Sequence, residues 1–341
     1  MLGWNMDLGL DLGSCITRVY QRGVGIVLSE PSAIAFSPER SEVLAIGAEA
    51  KAMMDQATAD ARVVFPIRFG VVADHLAAAQ MIKEVTKRAL GRRTLFMPRV
   101  IAAVTSAATP VERAALRSAV HGASARNVQL VDRMLAAAIG AGVATPSEHA
   151  SRLVVSIGGG MTEFGVVSQG RLVWGRNLRF GGRDLDEAIR KMMRNRYDLS
   201  VAPGTAEQMK LQVGAVVPNM ARSRVLIGGG EVYGELFRNL QITLDGIPDL
   251  LARTLAPLIN EIHWAIAEAP AEQRAEIKAN GILLTGGTSL LQGIPQLMRE
   301  RLGVPVIRAR EPAHSVILGL GAILQDPTKL SKDGMRYGGG V

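Results

Sequence analysis

The sequence predicts an α/β fold in which two similar halves face each other across a cleft. Two hairpin patterns lie half a chain apart, at Leu8–Tyr20 (LGLDLGSCITRVY) and Leu153–Val167 (LVVSIGGGMTEFGVV). In both, an apolar run enters and leaves a glycine-containing turn. A third glycine-rich turn lies at Ile282–Leu291 (ILLTGGTSLL). Glycine lacks a Cβ and readily adopts positive φ, so the three turns predict a duplicated fold whose bare backbone N–H groups grip phosphate from both sides.

The first half is predicted to begin with strands and to continue with strands and helices. Helical spacing of apolar residues predicts a helix over Leu76–Leu90. Thr109, Pro110 and Glu112 have the pattern of a capping box and predict a helix that runs to about His121. Small residues predict another helix over Leu135–Gly142. Strands are predicted at 6–11, 17–20, 25–28, 32–36, 43–46, 99–104 and 127–131, and a small peripheral subdomain around 53–62.

The second half repeats this plan, and the alternation of strands and helices indicates an α/β protein. Thr205 is the expected N-cap of a short helix. Pro248 and Pro257 predict a late start or a kink in the longest helix. The expected elements are a hairpin over 152–175, helices over 184–197, 205–213, 246–269, 290–302 and 315–324, and strands at 282–285 and 304–307.

Composition favours a cytoplasmic protein with anionic partners. The length of 341 residues suggests about two domains, and the single Cys15 excludes an internal disulfide. No uncharged run approaches the ~20 residues of a membrane span, and Met1–Met6 lacks the basic start of a signal peptide. A net charge of +8 favours nucleic acid or the acidic inner leaflet. Only 4% of residues are aromatic and no helix-turn-helix or zinc pattern occurs, so nucleic acid is not the expected partner.

Several short motifs occur in a fixed order between Asp7 and Leu324. They are Asp11–Ser14, Gly25–Ser32, Ala136–Gly142, Ile157–Glu163, Gly181–Ile189, Thr205–Lys210 and Leu284–Leu291. In combination they resemble the MreB-type bacterial actins, which belong to the superfamily of actin, sugar kinases and DnaK-type chaperones. The resemblance implies an actin-like fold and a filament-forming cytoskeletal protein of cell shape or spatial organisation, at the inner face of the membrane. It also implies ATP or ADP, with Mg²⁺, as ligand.

The resemblance implies both domain boundaries and nucleotide contacts. One half would comprise 1–142 with 315–330 and the other 143–314, with small subdomains at about 32–65 and 181–245 and a flexible tail at 331–341. Asp11 would help to hold Mg²⁺, while Glu207 and Lys210 would contact the ribose and adenine. The implied nucleotide-binding residues are Asp11, Gly13, Ser14, Cys15, Ile16, Gly158, Gly159, Gly160, Met161, Gly181, Gly182, Asp184, Glu207, Lys210, Gly286, Gly287 and Thr288.

The chain departs from this family at the reactive end of the site. Arg133 stands where the family has the Glu that positions the attacking water, and Ser156 replaces an Asp. Ile16 replaces an Asn. The first two changes make the pocket three charge units more positive, and unit charges ~4 Å apart interact by about 4 kcal/mol at an effective dielectric near 20. A guanidinium cannot act as general base, although it can bind a γ-phosphate, so weakened Mg²⁺ binding and weak or absent hydrolysis are expected.

Two alternatives remain open from the sequence. An active Mg²⁺-dependent ATPase that drives polymer turnover is possible if Asp132 or Asp11 performs the work of the missing acid, although a one-residue shift in a strand turns a side chain to the opposite face. A metabolite kinase would need a catalytic Asp facing a sugar hydroxyl, and Ser156 removes the best candidate.

Two surface segments are expected to mediate contacts, one with the membrane and one between protofilaments. Leu95 and Phe96 stand between arginines where MreB relatives carry a membrane-inserting loop, which suits an anionic lipid surface. Met1–Met6 is a possible second anchor. In the family, protofilaments pair side by side through the helix that here begins near Val111, so Val111 is the expected pairing residue.

Overall fold

The computed structural model has two five-stranded sheets with a pair of helices packed between them. It describes residues 7–40, 42–55, 60–91, 97–123, 125–143, 151–220, 224–227, 230–232, 235–237, 240–243 and 246–330, with no side chains described between 221 and 245. The strands are β1 (Leu8–Leu12), β2 (Ile16–Gln21), β3 (Gly25–Pro31), β4 (Ile34–Phe36), β5 (Val43–Ile46), β6 (Arg62–Val64), β7 (Ile67–Arg68), β8 (Val71–Val72), β9 (Arg99–Val104), β10 (Asn127–Asp132), β11 (Arg152–Ile157), β12 (Thr162–Ser168), β13 (Arg171–Leu178), β14 (Arg224–Ile227), β15 (Gly230–Val232), β16 (Glu235–Phe237), β17 (Leu240–Thr243), β18 (Ile282–Thr285) and β19 (Val306–Arg308).

The helices occupy most of the remaining described chain. They are α1 (Ala48–Asp55), α2 (His75–Leu90), α3 (Pro110–Gly122), α4 (Arg133–Gly140), α5 (Gly182–Tyr197), α6 (Pro203–Val213), α7 (Ile247–Glu268), α8 (Ala271–Asn280), α9 (Ile294–Leu302) and α10 (Ser315–Gln325). Short 3₁₀ turns lie at Pro218–Met220, Gly287–Leu290 and Pro327–Lys329. None of the described helices combines the length and the apolarity needed to cross a bilayer.

The two large sheets have the same plan, as the duplicated hairpins predict. The first has the order β10-β9-β1-β2-β3 and the second β13-β12-β11-β18-β19. In each, the first three strands in sequence form an antiparallel meander, and two later strands add in parallel to its first strand. The ends of β1 and β11 therefore carry equivalent turns, which places the two predicted phosphate turns at corresponding positions in the two sheets.

The helices α4 and α10 form the layer between the sheets. Their buried side chains pack with Ile101 and Val131 from the first sheet and with Val154 and Leu283 from the second. Glycines on both helices allow a close approach, because a Cβ added at Gly319 of α10 would overlap the backbone of α4 and one added at Gly140 of α4 would overlap the backbone of α10. This packing fixes the N-terminus of α4, and with it Arg133, at the junction of the two sheets.

The capped helix and several strands lie where the sequence predicts them. Thr109 accepts from the Glu112 N–H, and the Glu112 side chain accepts from the Thr109 N–H, which completes the capping box. β9 and β18 have the predicted bounds. The predicted hairpin over 152–175 is the meander β11-β12-β13, because Arg171–Leu178 adds a third strand.

Several local predictions are wrong. The helix α6 begins at Pro203 with Ala202 as N-cap, so Thr205 is not a cap, since proline suits the first helical turn. Pro248 does not delay α7, which begins at Ile247, for the same reason, while the alternative of a kink at Pro257 stays a prediction. The predicted helix over 290–302 is a 3₁₀ turn followed by α9. The sequence prediction missed α1, whose alternation of small and polar residues carries little periodic signal.

Candidate functional site

The turns that follow β1 and β11 face each other and are closed in the same way. Gly13 N donates to Ile16 O at 3.0 Å, and Gly158 N donates to Met161 O at 2.9 Å. A Cβ added at Gly159 would overlap the Sγ of Cys15, so the two turns are in direct contact. None of Gly158–Gly160 has positive φ, contrary to the prediction. The turn needs glycine because the opposing turn leaves no room for a side chain.

Several backbone N–H groups at these turns have no backbone acceptor among the described residues. They include those of Ser14, Cys15, Gly159 and Gly160. Unpaired N–H groups on two turns that contact each other are suited to an anion with several oxygens, such as a phosphate chain. The neighbouring Cys15 thiol has a pKa raised by burial, which the charge of Arg183 opposes.

A second group of predicted residues surrounds these turns. Gly181 packs on the backbone of Gly158 and Gly159, where an added Cβ would clash, and a Cβ added at Gly182 would clash with the Thr288 hydroxyl. The Thr288 hydroxyl donates to the Gly158 carbonyl at 2.9 Å. Asp184 caps α5 by accepting from the Gly181 N–H at 2.8 Å, Gly286 has φ of +86°, and Met161 is buried. The structure thus brings the three glycine-rich turns together.

Glu207 and Lys210, predicted to contact the nucleoside, have protein partners. Glu207 forms an ion pair with Lys51 of α1 at 2.7 Å. The hydrogen bond and charge of Lys51 lower the pKa of Glu207 although burial acts to raise it. Lys210 is buried, pairs with Asp186 at 2.7 Å and donates to the Gly182 carbonyl at 3.1 Å. The space beside Gly287 is open.

Arg133 lies at the centre of the site and contacts both sheets. Its Nη1 is 2.7 Å from Asp11 Oδ1 on β1, and its Nε is 3.3 Å from Glu163 Oε2 on β12. Its Nη2 donates to the Leu12 carbonyl at 3.1 Å. The three charged side chains are nearly inaccessible to solvent, with exposed fractions of 11%, 4% and 2% for Arg133, Asp11 and Glu163.

Neighbouring groups support both carboxylates of this cluster. Glu163 Oε1 accepts from Thr105 Oγ1 at 2.7 Å and from the Ser106 N–H at 3.0 Å. Arg18 lies 3.9 Å from Asp11 Oδ2. Burial raises the pKa of the Glu163 carboxyl, against the opposing charge of Arg133. The two carboxylates raise the pKa of Arg133 above its ordinary value despite its burial, so the guanidinium stays charged.

Asp132 has an ion-pair partner outside this cluster. It forms an ion pair with Arg113 of α3 at 3.1 Å, while the next residue along the chain reaches Asp11. Burial raises the pKa of the Asp132 carboxyl, and Arg113 acts to lower it. Ser156 is buried directly opposite Glu163 in the register of β11 with β12. An Asp at this position would therefore add a second carboxylate beside Glu163.

The residues around Asp11 do not fit a divalent cation. The position at which a metal would meet the Asp11 carboxylate is taken by the Arg133 guanidinium, 2.7 Å away. Among the residues that the structure describes, no group of three or more His, Cys, Asp or Glu side chains is arranged to hold a metal ion.

Comparison with known proteins identifies the family. The family model described as "MreB/Mbl protein" matches residues 5–332. The chain belongs to the MreB/Mbl family. The cell shape-determining protein MreB of Escherichia coli K12 is 34% identical over 326 residues, covering 94% of this chain and 93% of that protein. The cell shape-determining protein Mbl of Bacillus subtilis 168 is 30% identical over 326 residues, covering 96% and 98%.

A solved MreB structure confirms the actin-like fold. The crystal structure of MreB5 of Spiroplasma citri bound to AMPPNP matches with a TM-score of 0.86 and 27% identity, covering 94% of this chain and 96% of that chain. The fold class and the family predicted from the motifs are therefore both confirmed. This MreB/Mbl family member is a cytoskeletal actin homologue related to proteins that determine cell shape.

The sequence prediction missed the residue that completes the site of this MreB homologue. Glu163 lies in the motif Ile157–Glu163, and an acid inside the apolar strand β12 is a signal of a specific partner. Thr105, Arg18 and Arg183 were also missed. Leu95, Phe96 and Met1–Met6 lie outside the described residues. The predicted pairing residue Val111 is 77% exposed on α3.

Proposed function

We propose that the chain polymerises into paired actin-like filaments at the inner face of a bacterial membrane and holds an adenine nucleotide that it hydrolyses slowly or not at all. The observation that carries the proposal is the pair of facing turns, with Arg133 bound between Asp11 and Glu163. We also propose that the halves are those expected from the sequence, 1–142 with 315–330 and 143–314.

Nucleotide binding is supported by the donors on the two turns. The N–H groups of Ser14, Cys15, Gly159 and Gly160 would hold the phosphates, and the open side of Gly287 leaves room for the nucleoside. The related MreB5 was crystallised with AMPPNP. In this role the nucleotide is a structural ligand that links the two sheets through its phosphates.

Slow hydrolysis is expected because the side chains of Asp11 and Asp132 are both held in ion pairs. Asp11 is neutralised by Arg133, and Asp132 is paired with Arg113 of α3. Neither carboxylate is therefore placed to orient an attacking water, which is the step that the missing Glu would perform. This arrangement favours the slow-turnover proposal over the active ATPase.

Membrane attachment is tested on anionic liposomes. With ATP present, electron micrographs should show filaments lying on the liposomes, and the protein should pellet with them. Leu95→Ser with Phe96→Ser should abolish pelleting, because the apolar tip that enters the lipid is lost while basic attraction alone is weak. Met97, which follows Phe96 in the sequence, is apolar and 57% exposed.

The matched control is Leu76→Ser with Val24→Ser, because both residues are also exposed and apolar, at 75% and 68%, but lie on α2 and the β2–β3 turn. It should pellet like the wild type. Equal pelleting of wild type and of the Leu95 and Phe96 double variant would show that another segment anchors the protein.

Lateral pairing is tested with a cysteine at Val111. In α3, Val111, Ala114 and Ser118 are exposed, whereas Leu116 and Ala119 pack on the protein's own core. Val111→Cys should give a disulfide-linked dimer under filament-forming conditions, because a two-fold seam brings each residue to its own copy. Cys15 should not compete, because a raised thiol pKa slows reaction at neutral pH.

Val111→Glu should weaken pairing and leave single protofilaments, since it places an unpaired charge at the seam. Paired filaments in micrographs together with no crosslinked dimer would place the seam on another face.

A further inference from the structure

The charges in and around the buried cluster of Asp11, Arg133 and Glu163 balance without a metal ion. The two carboxylates carry two negative charges, and Arg133 with the nearby Arg18 carries two positive charges, so the four groups sum to zero. A divalent cation would leave this buried site with a charge of +2. Because Coulomb energies grow as the effective dielectric falls, the cation would be strongly disfavoured there.

Each of the three nitrogens of the Arg133 guanidinium faces a group of the protein. Nη1 faces Asp11, Nη2 faces the Leu12 carbonyl and Nε faces Glu163. Asp11 Oδ1, Arg133 Nε and Glu163 Oε2 are buried without a well-directed hydrogen bond. Arg133 therefore supplies charge neutralisation to both carboxylates, and this is also what a bound cation supplies.

The cluster is one of several links between the two sheets near the turns. Glu163 on β12 is also bound by Thr105 and Ser106 at the end of β9. Arg183 of α5 donates to the Ser14 carbonyl at 2.9 Å and lies over the Phe65 ring. The cleft is thus bridged by side chains of the chain itself.

We propose that the guanidinium of Arg133 replaces the divalent cation of this site and holds the two sheets together, so that the protein binds a nucleoside diphosphate without metal. The nucleotide part of this proposal rests on the proposed function. The replacement of the cation by Arg133 stands on the ligand-free geometry alone. Reversing the charge at this position, by Arg133→Glu, changes the sum of the four charges to −2, which is the charge that a divalent cation neutralises.

The first experiment measures the dissociation constant of a fluorescent ADP derivative in Mg²⁺ and in EDTA. For the wild type the two values should agree within about twofold, whereas for Arg133→Glu removal of Mg²⁺ should weaken binding by about tenfold or more. Wild-type binding that requires Mg²⁺ would overturn the replacement of the cation and leave the nucleotide function standing. Absence of ADP binding in both conditions would instead overturn the proposed nucleotide function.

The second experiment needs no nucleotide, so it tests the cluster whether or not the protein binds ADP. The melting temperature of the ligand-free protein is measured as Mg²⁺ is added. The melting temperature should not change for the wild type and should rise for Arg133→Glu. If Arg133→Glu does not fold, Arg133→Gln replaces it and should give a smaller rise. The control Arg176→Glu reverses a charge in the exposed Arg176–Glu268 pair and should show no rise. A rise in the wild type equal to that of Arg133→Glu would overturn the proposal.

Discussion

Arg133→Glu combined with Ser156→Asp is expected to raise the rate of phosphate release from ATP in Mg²⁺ by about 10²-fold or more, the lower range for restoring a group that assists proton transfer. The first change removes the cation that neutralises Asp11 and supplies an acid at the N-terminus of α4. The second adds a carboxylate directly opposite Glu163. Together they restore the acidic pattern that the resemblance implies for this end of the cleft.

The single variant Ser156→Asp is the control for this gain. It should remain as slow as the wild type, because Arg133 still occupies Asp11. Rapid, Mg²⁺-dependent phosphate release by the wild type would contradict the expectation and favour the active ATPase.

Arg133→Gln is expected to lower the free energy of unfolding by about 3–5 kcal/mol, the typical cost of removing one partner of a buried ion pair. The substitution leaves the carboxylates of Asp11 and Glu163 buried and without their common countercharge. Denaturant unfolding of the ligand-free protein, followed by circular dichroism, measures the difference.

Arg176→Gln is the matched control for stability. Arg176 pairs with Glu268 at 2.8 Å, but both side chains are more than half exposed. Exposed pairs contribute about 0–1 kcal/mol because water and salt screen them. Equal losses of stability in the two variants would show that Arg133 does not act as a buried link between the sheets.

Local signals in the sequence predicted much of the fold. The capping box at Thr109 and the apolar runs that became β9 and β18 depend on neighbours within a few residues, so their patterns are visible in the chain. Thr205 shows the limit of such reasoning, because the competing signal of Pro203 set the start of α6. Residues 290–302 resemble one helix in sequence, yet Gly293, with φ of +86°, separates the 3₁₀ turn from α9.

The sequence by itself determined which chemical groups stand at the reactive end: a cation at 133, a hydroxyl at 156 and glycines at 158–160. Only the tertiary structure decided what they contact. The sequence permitted Arg133 to face a phosphate, whereas the fold binds it between Asp11 and Glu163. Gly159 was expected to serve a turn conformation, whereas it makes room for Cys15. These partners are far apart in the chain, and they come into contact only when the two sheets pack on α4 and α10. No local sequence pattern therefore predicts these contacts.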